Sequence, residues 1–392
     1  MKILFVSETY YPHINGVYYF MYGIGSLLLQ KGHKVEVITP SDSIYPYRKI
    51  INGIHVNGVP SLPIWFYPSV RYPLHTFLRS RIRRIINRFK PDIIHIQDHF
   101  WVSKMVVKVN RDLKIPIIGT NHFMPENITV FFKNQRFKQW LESRLWKDFS
   151  MVFNEVSLVT TPTETGVHLI KRRLKVDTVA ISSGINLEAF NPRDNPVNIR
   201  AKYKIPDKPV LLYVGRLDPE KRIEEIIHSV VLAVKEIDFC LVVVGKGTSR
   251  ITLEKLTKES GITDRVVFTG FVPDDELPYF YKISRCFIIA SIAELLSLVT
   301  LQAMAAGVPV IAVNAGALRE LVINRVSGYL YEEGDIPAVV SHIAEIFSDD
   351  DLYQKMSGKS REIARLHDIN KTLETFERLY NECLSFSKIS VN

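Results

Sequence analysis

Short runs of aliphatic and β-branched residues, each followed by a segment with helical spacing, recur from one end of this 392-residue chain to the other. Continuous apolar runs imply strands covered on both faces, and strands that alternate with helices imply parallel pairing. The first half offers Ile3–Ser7, Val35–Thr39, Ile93–Gln97, Ile115–Thr120 and Leu158–Thr161 as strands, separated by helix-like segments. Residues 186–209, polar and proline-bearing, read as an interdomain linker. The rhythm then resumes with Val210–Val214, Phe239–Val244, Arg265–Phe268, Cys286–Ala290 and Val308–Val313. An α/β protein of two consecutive doubly wound domains is expected. Ligands belong at the carboxyl ends of its strands, in a cleft between the domains. The expected division is 1–187, 188–367 and a tail, 368–392, that reads as one long helix crossing back to the first domain.

Length alone favours two cores, and 46% apolar residues suffice to fill them. No apolar run reaches the roughly 18–20 residues that cross a bilayer, and the opening MKILFVSETYYP is too short for a signal segment. Three scattered cysteines, Cys240, Cys286 and Cys383, suit buried thiols in a reducing compartment, so a cytoplasmic location is expected. The net charge of +9 is uneven. Residues 1–190 carry 25 Lys+Arg against 13 Asp+Glu, hence +12, and the remainder, 25 against 28, is −3. A basic half can meet anionic lipid, nucleic acid or a phosphorylated substrate; no recognised nucleic-acid module accompanies it.

Two segments carry most of the chemistry. GRLDPEK, Gly215 to Lys221, follows a strand and leads into a helix. Its Arg216 and Lys221 are suited to a diphosphate, one as a planar fork and the other as a mobile point charge, although both also fit a solvated turn. In ASIAELLSLVTLQAMAAG, Glu294 leaves a strand and Ser297 can cap a helix whose first N–H groups, near Leu298 and Val299, form an anion site. Gln302 stands eight residues after Glu294, roughly 12 Å at helical rise, so the two can bracket a diphosphate. The ordinary alternative is a loop carboxylate and a core-edge amide. Gly245 and Gly247 read as a tight turn, since the third glycine of a dinucleotide fingerprint is missing. Gly270, with Phe271 after it, ends another strand where exposed backbone can approach a base.

Other features have plainer readings. SDDD at 348–351 fits helix capping better than metal binding, and no metal site is expected. In IIHIQDHF, His95 reads as core, whereas Asp98 and His99 are candidates for an acceptor site. LRSRIRRIINRFK puts Leu78, Ile82, Ile85, Ile86 and Phe89 on one helical face and basic residues on the rest. FFKNQRFKQWLESRLWKDF aligns Phe137, Leu141, Leu145 and Phe149. Both stripes suit packing on a sheet, and both basic faces suit an anionic membrane.

With YYPHINGV, GTNHFMPEN, SSGINLEAF, GRLDPEK and the Glu294 segment in this order, the chain resembles family 4 glycosyltransferases, retaining enzymes of the GT-B fold, over essentially its whole length. It looks most like those that glycosylate diacylglycerol or phosphatidylinositol. The resemblance implies two Rossmann-like domains facing each other across a cleft. Arg216 and Lys221 would hold the donor diphosphate, and Gly16 would let backbone approach donor and acceptor. His122 would lie near the transferred sugar, and Glu294 would contact its hydroxyls. The second glutamate of the family's pair, which holds ribose hydroxyls, is Gln302 here, a change worth about 1–2 kcal/mol. Ser297 stands where many members have glycine.

The expected reaction moves a hexose, with UDP-hexose as the donor, to an acceptor hydroxyl with retention. No cofactor is expected besides this substrate, and no metal is invoked. The diphosphate would be stabilised by the two cations and the helix N–H groups. The acceptor is read first as a membrane lipid, with basic N-domain helices resting on the inner face of the cell membrane. The second reading is a soluble sugar or polysaccharide precursor. The third is a sugar-nucleotide-binding partner protein with weak catalysis.

Overall fold

The computed structural model describes residues 1–64, 67–74, 78–129, 132, 134–190 and 198–389. The chain divides into two compact units, Met1–Gly184 with Ile369–Asn392, and Ile185–Asp368. Of the proline-bearing stretch 186–209, residues 191–197 lie outside the described residues. Its later part folds into the second unit: Asn198 caps a short helix, Ile199–Tyr203, and both Ile199 and Ile205 are buried.

In the first unit β1 (Lys2–Val6) and β2 (Lys34–Pro40) are the core strands of an eight-stranded sheet, with Ile3, Leu4, Phe5 and Val6 all fully buried. Then follow β3 (Tyr47–Ile51), β4 (Ile54–Val59), β5 (Ser61–Ile64) and β6 (Tyr67–Pro73). The later strands are β7 (Ile93–Ile96), β8 (Ile117–Thr120), β9 (Leu158–Thr161) and β10 (Thr178–Ala180). The sheet order is β10-β9-β8-β7-β1-β2-β4-β3, and only the β3–β4 pair is antiparallel; β5 and β6 form a separate ribbon. The strands β3 to β6 are a correction to a reading that put helix-like segments between every pair of strands. Their signal was present. Ile51 pairs Ile54 across Asn52-Gly53, both at positive φ (49° and 82°), which is the turn chemistry of a two-residue hairpin.

Three helices matter to the edge of this sheet: α1 (Gly16–Gln30), α2 (Leu78–Phe89) and α3 (Trp101–Leu113). The terminal helix, Ile369–Ile389, lies against α1. Gly23 permits that approach, since a Cβ there would stand 2.6 Å from Ile369 Cδ1. Tyr380 reaches from the terminal helix to His95 Nδ1 at 2.8 Å, and Thr120 Oγ1 lies 2.6 Å from His95 Nε2, so His95 is a satisfied core residue.

The second unit holds β11 (Val210–Val214), β12 (Cys240–Val244), β13 (Val266–Gly270), β14 (Ser284–Ile289), β15 (Val310–Val313) and β16 (Gly328–Tyr331). All pairs are parallel, in the order β13-β12-β11-β14-β15-β16. Asp349 caps the helix Asp350–Ala364 by accepting from Leu352 N–H at 2.8 Å, as the acidic run suggested. Among the described residues no helix is long and apolar enough to cross a membrane.

Two buried carboxylates tie β1 and β7 to the start of α3. Glu8 Oε1 accepts from Val102 N–H, while Asp98 accepts from Glu8 N–H (2.6 Å), Phe100 N–H (3.1 Å) and Ser103 Oγ (2.8 Å). Burial and then the neighbouring Asp98 push the Glu8 carboxyl well above the usual carboxylate range. The native state therefore binds a proton that the unfolded chain releases, and stability falls as pH rises through the native pKa. Replacing Glu8 by Gln should flatten the fall in melting temperature as pH rises above the usual carboxylate range. Scanning fluorimetry across that rise checks it; a slope equal to wild type would show that Glu8 is ionised in the native state.

Candidate active site

In the second unit, strands β11, β12 and β13 run outward one way and β14, β15 and β16 the other, so the chain reverses direction between β11 and β14. Loops leaving two such neighbours diverge and open a crevice at the carboxyl edge. The two richest segments of the sequence are those loops. After β11 comes Gly215, Arg216 and a short helical turn, Pro219–Lys221; after β14 comes Glu294 and then the helix Leu298–Ala305.

Lys221 Nζ lies 2.6 Å from Glu294 Oε1 and 3.4 Å from Ser291 Oγ, with both charged side chains mostly buried (18% and 14% exposed). The Glu294 loop is held by a turn below it. Ala317 N–H donates to Glu294 O at 3.0 Å, and Gly316, at φ 51°, lies so close that a Cβ would stand 2.7 Å from that oxygen. Arg216 is half-exposed and pairs with Asp218 and with Glu220 Oε1 at 2.5 Å. Its carbonyl accepts from Tyr213 OH at 2.9 Å, and Asp218 Oδ1 accepts from Thr248 N–H and Oγ1, both at 3.0 Å. Each cation is thus held by carboxylates from its own edge.

Ser297 caps its helix, its Oγ accepting from Thr300 N–H (3.4 Å) and Thr300 Oγ1 (2.8 Å). By helix geometry the N–H groups of Leu298 and Val299 have no intrahelical acceptor. Gln302 Oε1 accepts from Tyr281 OH at 2.9 Å, which leaves Nε2 as the donor of the amide. At the end of β13, Gly270 (φ 76°) accepts from Gly245 N–H at 2.9 Å. Phe271 beyond it is 52% exposed, with Lys246 Nζ 5.8 Å from its ring centre.

Gly245 and Gly247 do more than turn the chain. A Cβ on Gly245 would stand 1.8 Å from Gly215 O, and one on Gly247 would stand 2.3 Å from Leu217 O. The β12 exit therefore packs backbone on backbone against the β11 exit and fixes the loop that carries Arg216.

In the first unit Gly16 opens α1, with Asn15 as its cap, and a Cβ there would meet nothing within 4 Å. His122 follows β8, its Nε2 donating to Gln97 Oε1 at 3.1 Å and its ring against Phe20. Burial pushes its pKa down to about 4, so the imidazole is neutral near pH 7. The acceptor candidates fare differently. Asp98 is buried and engaged by three donors, and His99, 1% exposed, is packed among Phe100, Phe123, Phe149 and Phe153 with its pKa pushed down to about 3 by burial. Neither side chain is presented to an acceptor; both belong to the packing under α3. Ser291, Tyr281, Gly316 and Gln97 went unread. Only Gly316 carried a local signal, a glycine in the turn NAGA.

Residues 14–189 match the profile of Glycosyltransferase Family 4, and residues 197–363 match that of Glycosyl transferases group 1. The chain belongs to glycosyltransferase family 4. This glycosyltransferase is 29% identical over 342 residues to alpha-monoglucosyldiacylglycerol synthase of Streptococcus pneumoniae, covering 84% of the chain and 75% of that protein. It is 25% identical to N-acetyl-alpha-D-glucosaminyl L-malate synthase of Bacillus anthracis, over 98% of both. Sucrose-phosphate synthase from Thermosynechococcus elongatus superposes with a TM-score of 0.80 at 20% identity, over 98% of this chain and 100% of that one. The fold is GT-B, built on two Rossmann-like parallel sheets.

The glycine packing gives a test of how the glycosyltransferase holds this edge. Gly245→Ala adds a methyl against Gly215 O at a positive φ of 141°, and should cost about 2–4 kcal/mol in urea unfolding. Gly16→Ala, facing open space, should cost less than about 1 kcal/mol. Equal costs would show that the β11 and β12 exits are not coupled.

Proposed function

We propose that this glycosyltransferase moves a hexose from a nucleoside diphosphate sugar, UDP-hexose first among them, to the hydroxyl of a diacylglycerol-type membrane lipid, with retention at the anomeric carbon. The observation that carries the donor half is the Lys221–Glu294 pair at 2.6 Å. A mostly buried ammonium holds the carboxylate that an incoming diphosphate can replace. Lys221 then takes a phosphate oxygen, and Glu294 is freed to accept from hexose hydroxyls. Arg216 supplies a planar fork to the same diphosphate, and the N–H groups of Leu298 and Val299 add fixed dipoles aimed at the leaving charge. Phe271 offers a face to the base, with Gly270 allowing close approach, and Gln302 Nε2 donates to a ribose oxygen.

For the first unit, Gly16 leaves room for donor and acceptor backbone contacts, and neutral His122 hydrogen-bonds the transferring group. No covalent nucleophile is assigned. The acceptor hydroxyl attacks from the face that the diphosphate leaves, and its proton passes to the departing oxygen. The lipid acceptor is supported by the Streptococcus relative's name and by the +12 charge of residues 1–190. A soluble acceptor is the second reading, favoured by the Bacillus relative, which is named for L-malate and matches nearly the whole chain.

Transfer assays from UDP- and GDP-hexoses to short-chain diacylglycerol dispersed in detergent, run beside L-malate and free hexoses, decide between them. Product from the lipid is expected; product only from soluble acceptors would overturn the lipid half. Isothermal titration with UDP tests the donor half. Lys221→Ala should weaken binding by about 1.5–3 kcal/mol, roughly 10- to 150-fold. Gln302→Glu should tighten it about five- to thirty-fold. An unchanged affinity in Lys221→Ala would remove the diphosphate from this crevice.

A further inference from the structure

At the outer edge of the second sheet, the exit of β13 meets the first residue of the helix Arg250–Glu259. Arg250 Nε donates to Glu254 Oε1 at 2.8 Å, and its Nη2 donates to Phe268 O at 3.4 Å. A planar guanidinium held at two of its nitrogens has its third fixed as well. That nitrogen, Nη1, stands 3.2 Å from where a Cβ on Gly270 would lie, so the glycine keeps the approach to it clear. Among the described residues Nη1 makes no hydrogen bond.

The backbone acceptors of this exit are already taken. Gly270 O accepts from Gly245 N–H at 2.9 Å and from Thr269 Oγ1 at 3.1 Å, which uses both of its lone pairs. Phe268 O holds Arg250. Lys246 Nζ, 5.8 Å from the Phe271 ring centre, brings hydrogens and no lone pair. Beside the exposed ring of Phe271, then, Arg250 and Lys246 both offer hydrogens and accept none. The position along the sheet suits a base. Two strand spacings, about 10 Å, separate β13 from β11, and a nucleoside spans such a gap between its base and the diphosphate at Arg216.

Groups that only donate discriminate among bases. Uracil and guanine carry a carbonyl oxygen where cytosine and adenine, with the same ring shapes, carry an amino group. The oxygen accepts from the guanidinium. The amino group sets one N–H against another and leaves Arg250 unpaired in a desolvated contact. We infer that Arg250 selects the nucleotide, favouring a base with that carbonyl, uracil or guanine, over its amino counterpart. The inference rests on the donor half of the reading above and deepens it by naming the class of nucleotide. Phe271 offers a ring face that any base can stack on, so stacking adds affinity with little choice. The choice falls to Nη1.

Isothermal titration of the full chain with UDP, CDP, GDP and ADP tests it. The tighter of UDP and GDP should exceed its amino counterpart, CDP or ADP, by about ten-fold or more. Arg250→Ala should bring that ratio to within about two-fold. Arg250→Gln, whose amide both donates and accepts, should do the same. Only the exposed pair with Glu254 is lost from the fold, so both variants should keep the wild-type melting temperature. A loosened loop or a missing positive charge acts on both nucleotides alike and leaves the ratio unmoved. A wild-type ratio near one, or a ratio that survives in either variant, would overturn the selection by Arg250, while UDP binding would leave the donor reading standing. Binding of none of the four nucleotides would overturn both.

Discussion

The hydrogen-bonded pairing of β11 with β14 is the constraint on which the donor edge depends. Val210 pairs Ser284 and Leu212 pairs Phe287, in a parallel ladder between strands separated by two complete βα units. That pairing places the loop after each strand beside the other and brings Lys221 to within 2.6 Å of Glu294 across 73 residues of sequence. The neighbours then lock the pair in place. The β12 exit packs on Gly215, and the turn at Gly316 packs on the Glu294 backbone. A slip of β14 along β11 would leave both segments intact and separate their charges.

The two units treat ionisable groups at their sheet edges in opposite ways. In the first, burial favours the neutral forms: His95 and His99 are pushed down to about 3, His122 to about 4, and the Glu8 and Asp98 carboxyls are pushed up. These side chains orient one another and cap α3, with little net charge in the low-dielectric interior. In the second, Lys221 and Arg216 each have carboxylates within hydrogen-bond reach. An edge of paired charges can exchange a partner for an anionic ligand at modest cost. An edge of buried neutral groups is suited to shape and hydrogen bonding instead.

Amphipathic spacing alone did not separate the two basic helices. Both carry apolar residues at helical intervals among arginines and lysines. In α2 every member of the stripe is buried against the sheet. In the 135–153 helix only Phe149 of the expected stripe is fully buried. Residues 131 and 133 of that stretch lie outside the described residues.

Local chemistry in the sequence was enough to place ten of the fourteen strands of the two main sheets, the glycines at strand ends, the Ser297 and Asp349 caps and the core role of His95, since periodicity, turn propensity and capping act over a few residues. The Asn-Gly hairpin at 52–53 is equally local. Tertiary structure decided what depends on contacts distant in sequence. It gave Lys221 its Glu294 and Ser291 neighbours, used Tyr281 to turn the Gln302 amide, and enclosed His99 among rings that come from three separate segments. Side chains become partners only when strand order sets which loops are adjacent, and strand order is a property of the whole sheet.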